Sequence, residues 1–99
     1  MTIHKSLRGT ALVLAPEGRL DTVTAPPLEA EVRNMDAGVK ELTFDFSALE
    51  FISSAGLRVL FSAHNAMTAR GGSMKIIHPG SVVMEVFQVT GFSEMFSIE

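Results

Sequence analysis

Ninety-nine residues, 46% of them apolar and with a formal net charge of -3, suit one compact folded domain spanning residues 1–99. The eight Lys and Arg are scattered and there is no Trp or Tyr, which argues against a nucleic-acid surface. The absence of Cys excludes disulfides and thiolate metal sites. The longest apolar run, Ala11 to Ala15, is too short to cross a bilayer, and the N-terminus lacks the apolar run of a signal peptide, so a cytoplasmic location is expected.

The chain reads as alternating strands and helices. Ile3 to Arg8 is a candidate strand, turned back at Gly9-Thr10 into a second strand, Ala11 to Glu17. The short connection makes the pair an antiparallel hairpin. The second run is apolar throughout, the pattern of a strand covered on both faces. Gly18 to Val23 reads as a loop. A helix is expected from about Pro26 to Asp36, with its prolines in the first turn, where a missing N–H is tolerated. Ala25, Leu28, Val32 and Met35 make its apolar stripe, Glu29 and Arg33 face water four residues apart, and Gly38 ends it.

Glu41 to Phe46 is a third strand, with Leu42, Phe44 and Phe46 on one face. The main helix spans about Ser54 to Ala69. Leu57, Leu60, Phe61, His64, Met67 and Thr68 share its apolar side, while Arg58, Ser62, Asn65, Ala66 and Ala69 share the wet side. Gly71-Gly72 stops it. Ser73 to His78 is a fourth strand. Ser81 to Thr90 is a third helix, with Ser81 as N-cap and Gly91 beyond its end. Glu94 to Ile98 is a short last strand or a final turn. The expected class is α/β: a mixed four- to five-stranded sheet with an N-terminal hairpin and three to four helices. In such sheets functional groups gather beyond the carboxyl ends of strands, which would bring Asp21, Asp45, Ser53 and Ser54 to one edge.

Ser53 and Ser54 stand where loop becomes helix. As a cap, one hydroxyl would accept from an N–H a turn later. As a phosphoacceptor, it would set its phosphate against the unpaired N–H groups and partial positive charge of a helix start. Gly56 in the first turn weakens the helix by about 1 kcal/mol relative to Ala, so something other than stability keeps it. Its missing side chain would let a visitor reach the serine backbone. Asp21 reads as a turn former. Asp45 reads as a strand-end carboxylate bonding loop N–H groups. His4, His64 and His78 lie on different elements without paired ligand spacing, so no metal is expected. A nucleophile elbow fails at Ile52 and Phe51, where glycine is required, and Gly71-Gly72 is not followed by Lys-Ser/Thr, so neither a hydrolase nor a phosphate loop is indicated.

Phe51-Ile52-Ser53-Ser54-Ala55-Gly56-Leu57-Arg58-Val59-Leu60, with Asp45-Phe46-Ser47 upstream, resembles the signature of STAS domains, in particular bacterial anti-sigma factor antagonists. Gly18-Arg19-Leu20-Asp21, Thr24-Ala25-Pro26-Pro27-Leu28 and Val86-Phe87-Gln88-Val89-Thr90-Gly91-Phe92 resemble further family segments in the same order, so the likeness covers essentially the whole chain. The resemblance implies the STAS fold and a partner switch with no cofactor and no catalysis of its own. The unphosphorylated form would bind an anti-sigma factor that is also a serine kinase with an ATP-binding, histidine-kinase-like fold, freeing a sigma factor. Phosphorylation would end the complex, and a PP2C-type phosphatase would restore it. Alignment on Gly56-Leu57 puts the acceptor at Ser54, with Ser53 as runner-up. Ser53 stands where well-known members carry aspartate. Asp21 matches a position at the partner-binding edge. Ser53, Gly56, Arg58, Ser62 and Asn65, around or along the same helix, are further candidate partner contacts. The competing reading is a constitutive STAS scaffold or ligand-binding module that phosphorylation does not regulate.

Overall fold

The computed structural model describes residues 2–99. Its strands are β1 (Ile3–Arg8), β2 (Ala11–Pro16), β3 (Gly18–Leu20), β4 (Glu41–Asp45), β5 (Leu49–Ile52), β6 (Ser73–Ile77) and β7 (Ser97–Ile98). The helices are α1 (Ala25–Arg33), α2 (Ser54–Ala69), α3 (Ser81–Thr90) and α4 (Phe92–Met95). Five strands form a mixed sheet in the order β1-β2-β4-β6-β7; only the β1–β2 hairpin is antiparallel. β3 and β5 form a separate parallel pair. The expected α/β class with its hairpin is present.

Neighbouring registers explain where the core lies. One row across the large sheet runs Leu14, Phe44, Ile76, Ile98; the first three are fully buried. The adjacent row runs Ser6, Val13, Thr43, Lys75, Ser97 and is polar but for Val13. Successive strand residues point to opposite faces, so one face of the sheet is core and the other is wet. This corrects the two-sided burial expected of the second strand. Leu12, Leu14 and Pro16 are buried, while Ala11, Val13 and Ala15 are half-exposed, because no helix covers that side. Behind the buried face, Phe44, Phe46, Phe87 and Phe96 form a chain of rings with centroids 5.9–6.4 Å apart, joining β4, α3 and the end of α4.

Several boundaries move for local reasons. α1 starts one residue earlier than expected and ends at Arg33, with Asn34 rather than Gly38 at its C-terminus; the Asn34 N–H closes the last turn on the Ala30 carbonyl. Gly80, not Ser81, caps α3, and no side chain bonds its first turn. Gly91 ends α3 at φ +81, a left-handed conformation that glycine adopts without steric penalty. The tail forms both a helical turn and a strand, and β7 extends the sheet beside β6. On α2 the buried stripe is Gly56, Leu57, Val59, Leu60, Ala63 and Met67. Phe61 and Thr68 are exposed rather than buried, and His64 is half-buried edge-on against the Phe96 ring. The stripe is rotated because α2 packs against β5 and β6 on one side and α1 on the other.

Candidate functional site: the start of helix α2

The short parallel pair positions the serines. β3 and β5 end together at Leu20 and Ile52, and the Ser53 N–H donates to the Leu20 carbonyl at 2.9 Å. The chain then turns into α2, whose first intrahelical bond runs from the Leu57 N–H to the Ser53 carbonyl at 3.0 Å. Ser53 is the N-cap in extended conformation, yet its hydroxyl caps nothing. Its Oγ is shielded from solvent and has no hydrogen-bond partner among the described residues. Ser54, the first helical residue, is exposed. The two hydroxyls therefore differ: one is sealed and unpaired, the other is open to an approaching molecule. No acidic residue occupies the first turn, so the positive end of the helix is unbalanced.

Gly56 is buried, which corrects the idea that it opens a path to the serine backbone. A Cβ there would lie 2.7 Å from Ile52 Cγ1 and 2.8 Å from Leu20 Cγ. The glycine lets α2 sit directly on the ends of β3 and β5.

Asp21 is brought beside this junction because it follows Leu20. Its Oδ1 accepts from the Val23 N–H at 3.0 Å and the Thr24 N–H at 3.2 Å, while its own N–H donates to Thr24 Oγ1 at 2.8 Å. The Thr24 N–H does most to hold the Asp21 carboxyl below its usual range. Partial burial pushes the other way, and the Val23 N–H, the Thr24 hydroxyl and Arg19 reinforce the lowering. This reciprocal Asp-Thr arrangement fixes the turn into α1 and leaves Val23 exposed at its tip. Arg19 lies over the Phe51 ring, 4.3 Å from its centroid. Neither Val23 nor Arg19 stood out in the sequence as part of this edge, because β3 and β5 were not legible as partners.

Among the described residues Asp45 makes no hydrogen bond or ion pair to Asp21, Ser53 or Ser54. It ends β4, before the 46–48 turn and the whole of β5. There it accepts from the Ser47 N–H at 3.0 Å and faces His78 Nδ1 at 3.7 Å. Burial opposes its ionisation most, but the Ser47 and His78 contacts together leave its carboxyl below the usual range. Arg58, Ser62 and Asn65 lie exposed along α2 as expected; Ser62 and Ala66 line a groove with Glu29, Val32, Arg33 and Arg70. Among the described residues no cluster of three or more His, Cys, Asp or Glu is placed to hold a metal, and no helix is long and apolar enough to cross a membrane.

The STAS domain model matches residues 2–99. A Bordetella bronchiseptica protein named as an anti-sigma factor antagonist, BtrV, is 31% identical over 88 residues, covering 88% of this chain and 76% of that one. The crystal structure of an anti-sigma factor antagonist from Mycobacterium paratuberculosis superposes with a TM-score of 0.86 at 26% identity, over 98% of this chain and 83% of that one. The Bacillus cell fate determinant SpoIIAA, in its phosphorylated form, shares the fold with a TM-score of 0.78 at 18% identity, over 99% of this chain and 91% of that one.

Proposed function

We propose, because this chain belongs to the STAS domain family and is related in sequence to anti-sigma factor antagonists, that it works as a phosphorylation-controlled antagonist of an anti-sigma factor. In its unmodified state it binds an anti-sigma factor that is also a serine kinase with an ATP-binding, histidine-kinase-like fold, and a sigma factor is released. Phosphate on Ser54 ends that binding, and a PP2C-type phosphatase reverses it. The chain is a substrate in this cycle and catalyses nothing.

The observation that carries this reading is the contrast between the two serines. Ser54 is exposed at the uncapped N-terminus of α2, and Ser53 Oγ is sealed. A kinase must reach its hydroxyl, so Ser54 is the acceptor. The phosphate adds about -1.5 to -2 charges at a helix end that tolerates anions, so the fold survives. A partner packed over the same spot meets a desolvated anion, and like-charge contact there costs several kcal/mol. Asp21, Val23 and Arg58 border the spot as partner contacts. That a Bacillus protein of this fold exists in a phosphorylated form supports the reading at the level of fold.

The test pairs the protein with ATP and its cognate kinase and reads intact mass. One phosphate is expected, lost in Ser54→Ala and retained in Ser53→Ala. Binding of the phosphorylated protein to the kinase then falls at least about tenfold. Phosphate on another residue, or unchanged affinity, defeats the proposal; tight binding without any modification would instead favour the constitutive scaffold.

A further inference from the structure

We infer that Arg58 captures the phosphate placed on Ser54, so that a single modification both adds an anion to the surface and withdraws a cation from it. The inference rests on Ser54 as the phosphoacceptor.

Arg58 stands out among the cations. Of the eight Lys and Arg side chains, six are engaged by another group among the described residues. Lys5, Arg33 and Lys75 pair with Glu31, Glu29 and Glu99. Lys40 and Arg70 donate to backbone carbonyls, and Arg19 stacks on Phe51. Only Arg8, at the far end of β1, and Arg58 have no such partner among the described residues. Nor can α2 supply one, since Ser54 to Ala69 contains no Asp or Glu.

Helix geometry aims this free cation at Ser54. The two residues are four apart and both exposed. Such residues lie one above the other with Cβ atoms about 5–6 Å apart. Side chains on a helix tilt toward its N-terminus, so an arginine covers the turn before its own Cα. Arg58 thus leans back over the Ser54 position. A guanidinium offers parallel N–H donors matched to two phosphate oxygens. While Ser54 carries a neutral hydroxyl, nothing on α2 competes for Arg58 and it is available to a carboxylate on a partner. Once Ser54 carries phosphate, the intramolecular pair forms and that cation is lost to the partner.

The test needs no kinase. Phosphoserine is installed genetically at position 54, and the second ionisation of its phosphate is followed by phosphorus NMR against pH. With Arg58 present the apparent pKa lies below that of Arg58→Gln by roughly 0.15–0.4 units, the size set by adding one negative charge beside a cation at helical i,i+4 spacing. Arg58→Lys recovers part of the shift, and Arg8→Gln leaves it unchanged. The shift shrinks as salt is raised. The charges on and next to the neighbouring strands, Arg19 on β3, Asp21 just after it and Glu50 on β5, are the same in every variant, so their fields cancel in the comparison. An Arg58→Gln titration that overlays that of Arg8→Gln overturns the capture. That result would leave the acceptor role intact, whereas a Ser54 that no kinase modifies would defeat the acceptor role without touching this measurement.

Discussion

Replacing Gly56 with Ala adds one methyl group and sets two effects against each other. Helix propensity favours alanine by up to about 1 kcal/mol. Packing opposes it. The new Cβ would lie 2.7 Å from Ile52 Cγ1, 2.8 Å from Leu20 Cγ and 3.0 Å from Leu20 Cδ2. Carbon atoms prefer about 3.5–4.0 Å, so these neighbours must retreat by roughly 0.5–1 Å. They have nowhere to go: Leu20 is 0% and Ile52 1% exposed, and Leu20 Cγ is a branch point rather than a free end. Forcing a methyl into a close-packed interior costs about 1–3 kcal/mol, and contacts this short put Gly56 at the upper end. The net loss is about 2 kcal/mol, or roughly 8–16 °C in Tm for a domain of this size. Urea unfolding followed by far-UV dichroism should show a lower midpoint with an unchanged slope. A variant as stable as the parent, or more so, would mean that propensity wins and that α2 does not rest on the ends of β3 and β5.

Two other substitutions separate structural roles at the same edge. Ser53→Ala removes a sealed hydroxyl without a partner, so stability should stay level or rise by up to about 1 kcal/mol, whereas loss of a working cap would lower it by about 1 kcal/mol; chemical denaturation decides between them. Asp21→Asn should destabilise the protein at pH 7. The folded carboxyl titrates below its ordinary value of 3.8, so its contribution is present above that pH and is lost as pH falls through the lower folded value. The gap between Asp21→Asn and the parent should therefore narrow below about pH 4. Equal gaps at pH 7 and pH 3 in urea midpoints would show that the Thr24 and Val23 N–H groups do not favour the ionised form.

What the linear chain settled by itself is whatever depends on neighbours within one or two turns. The bounds of α2, Ser54 to Ala69, followed from apolar spacing and the Gly71-Gly72 stop, and the β1–β2 hairpin from Gly9-Thr10. The wet side of α2, with Arg58, Ser62 and Asn65, followed from the same periodicity. The Ser-Ser-Ala-Gly-Leu block marked the family because it is a local string.

Only the tertiary structure decided the matters that depend on what approaches from elsewhere. β3 has three residues and β5 four, too few to show a period, and each is a strand only because the other lies beside it. Until that pair forms, Gly56 has no Leu20 and Ile52 to fit against, and the preference for Ser54 over Ser53 rests on the family resemblance alone, with no physical difference between the two serines. With the Ser53 N–H held on the Leu20 carbonyl, the Ser53 hydroxyl lies sealed while Ser54 lies in water. Burial is a property of the assembled neighbours, and adjacent identical residues acquire different chemistry only when those neighbours are in place.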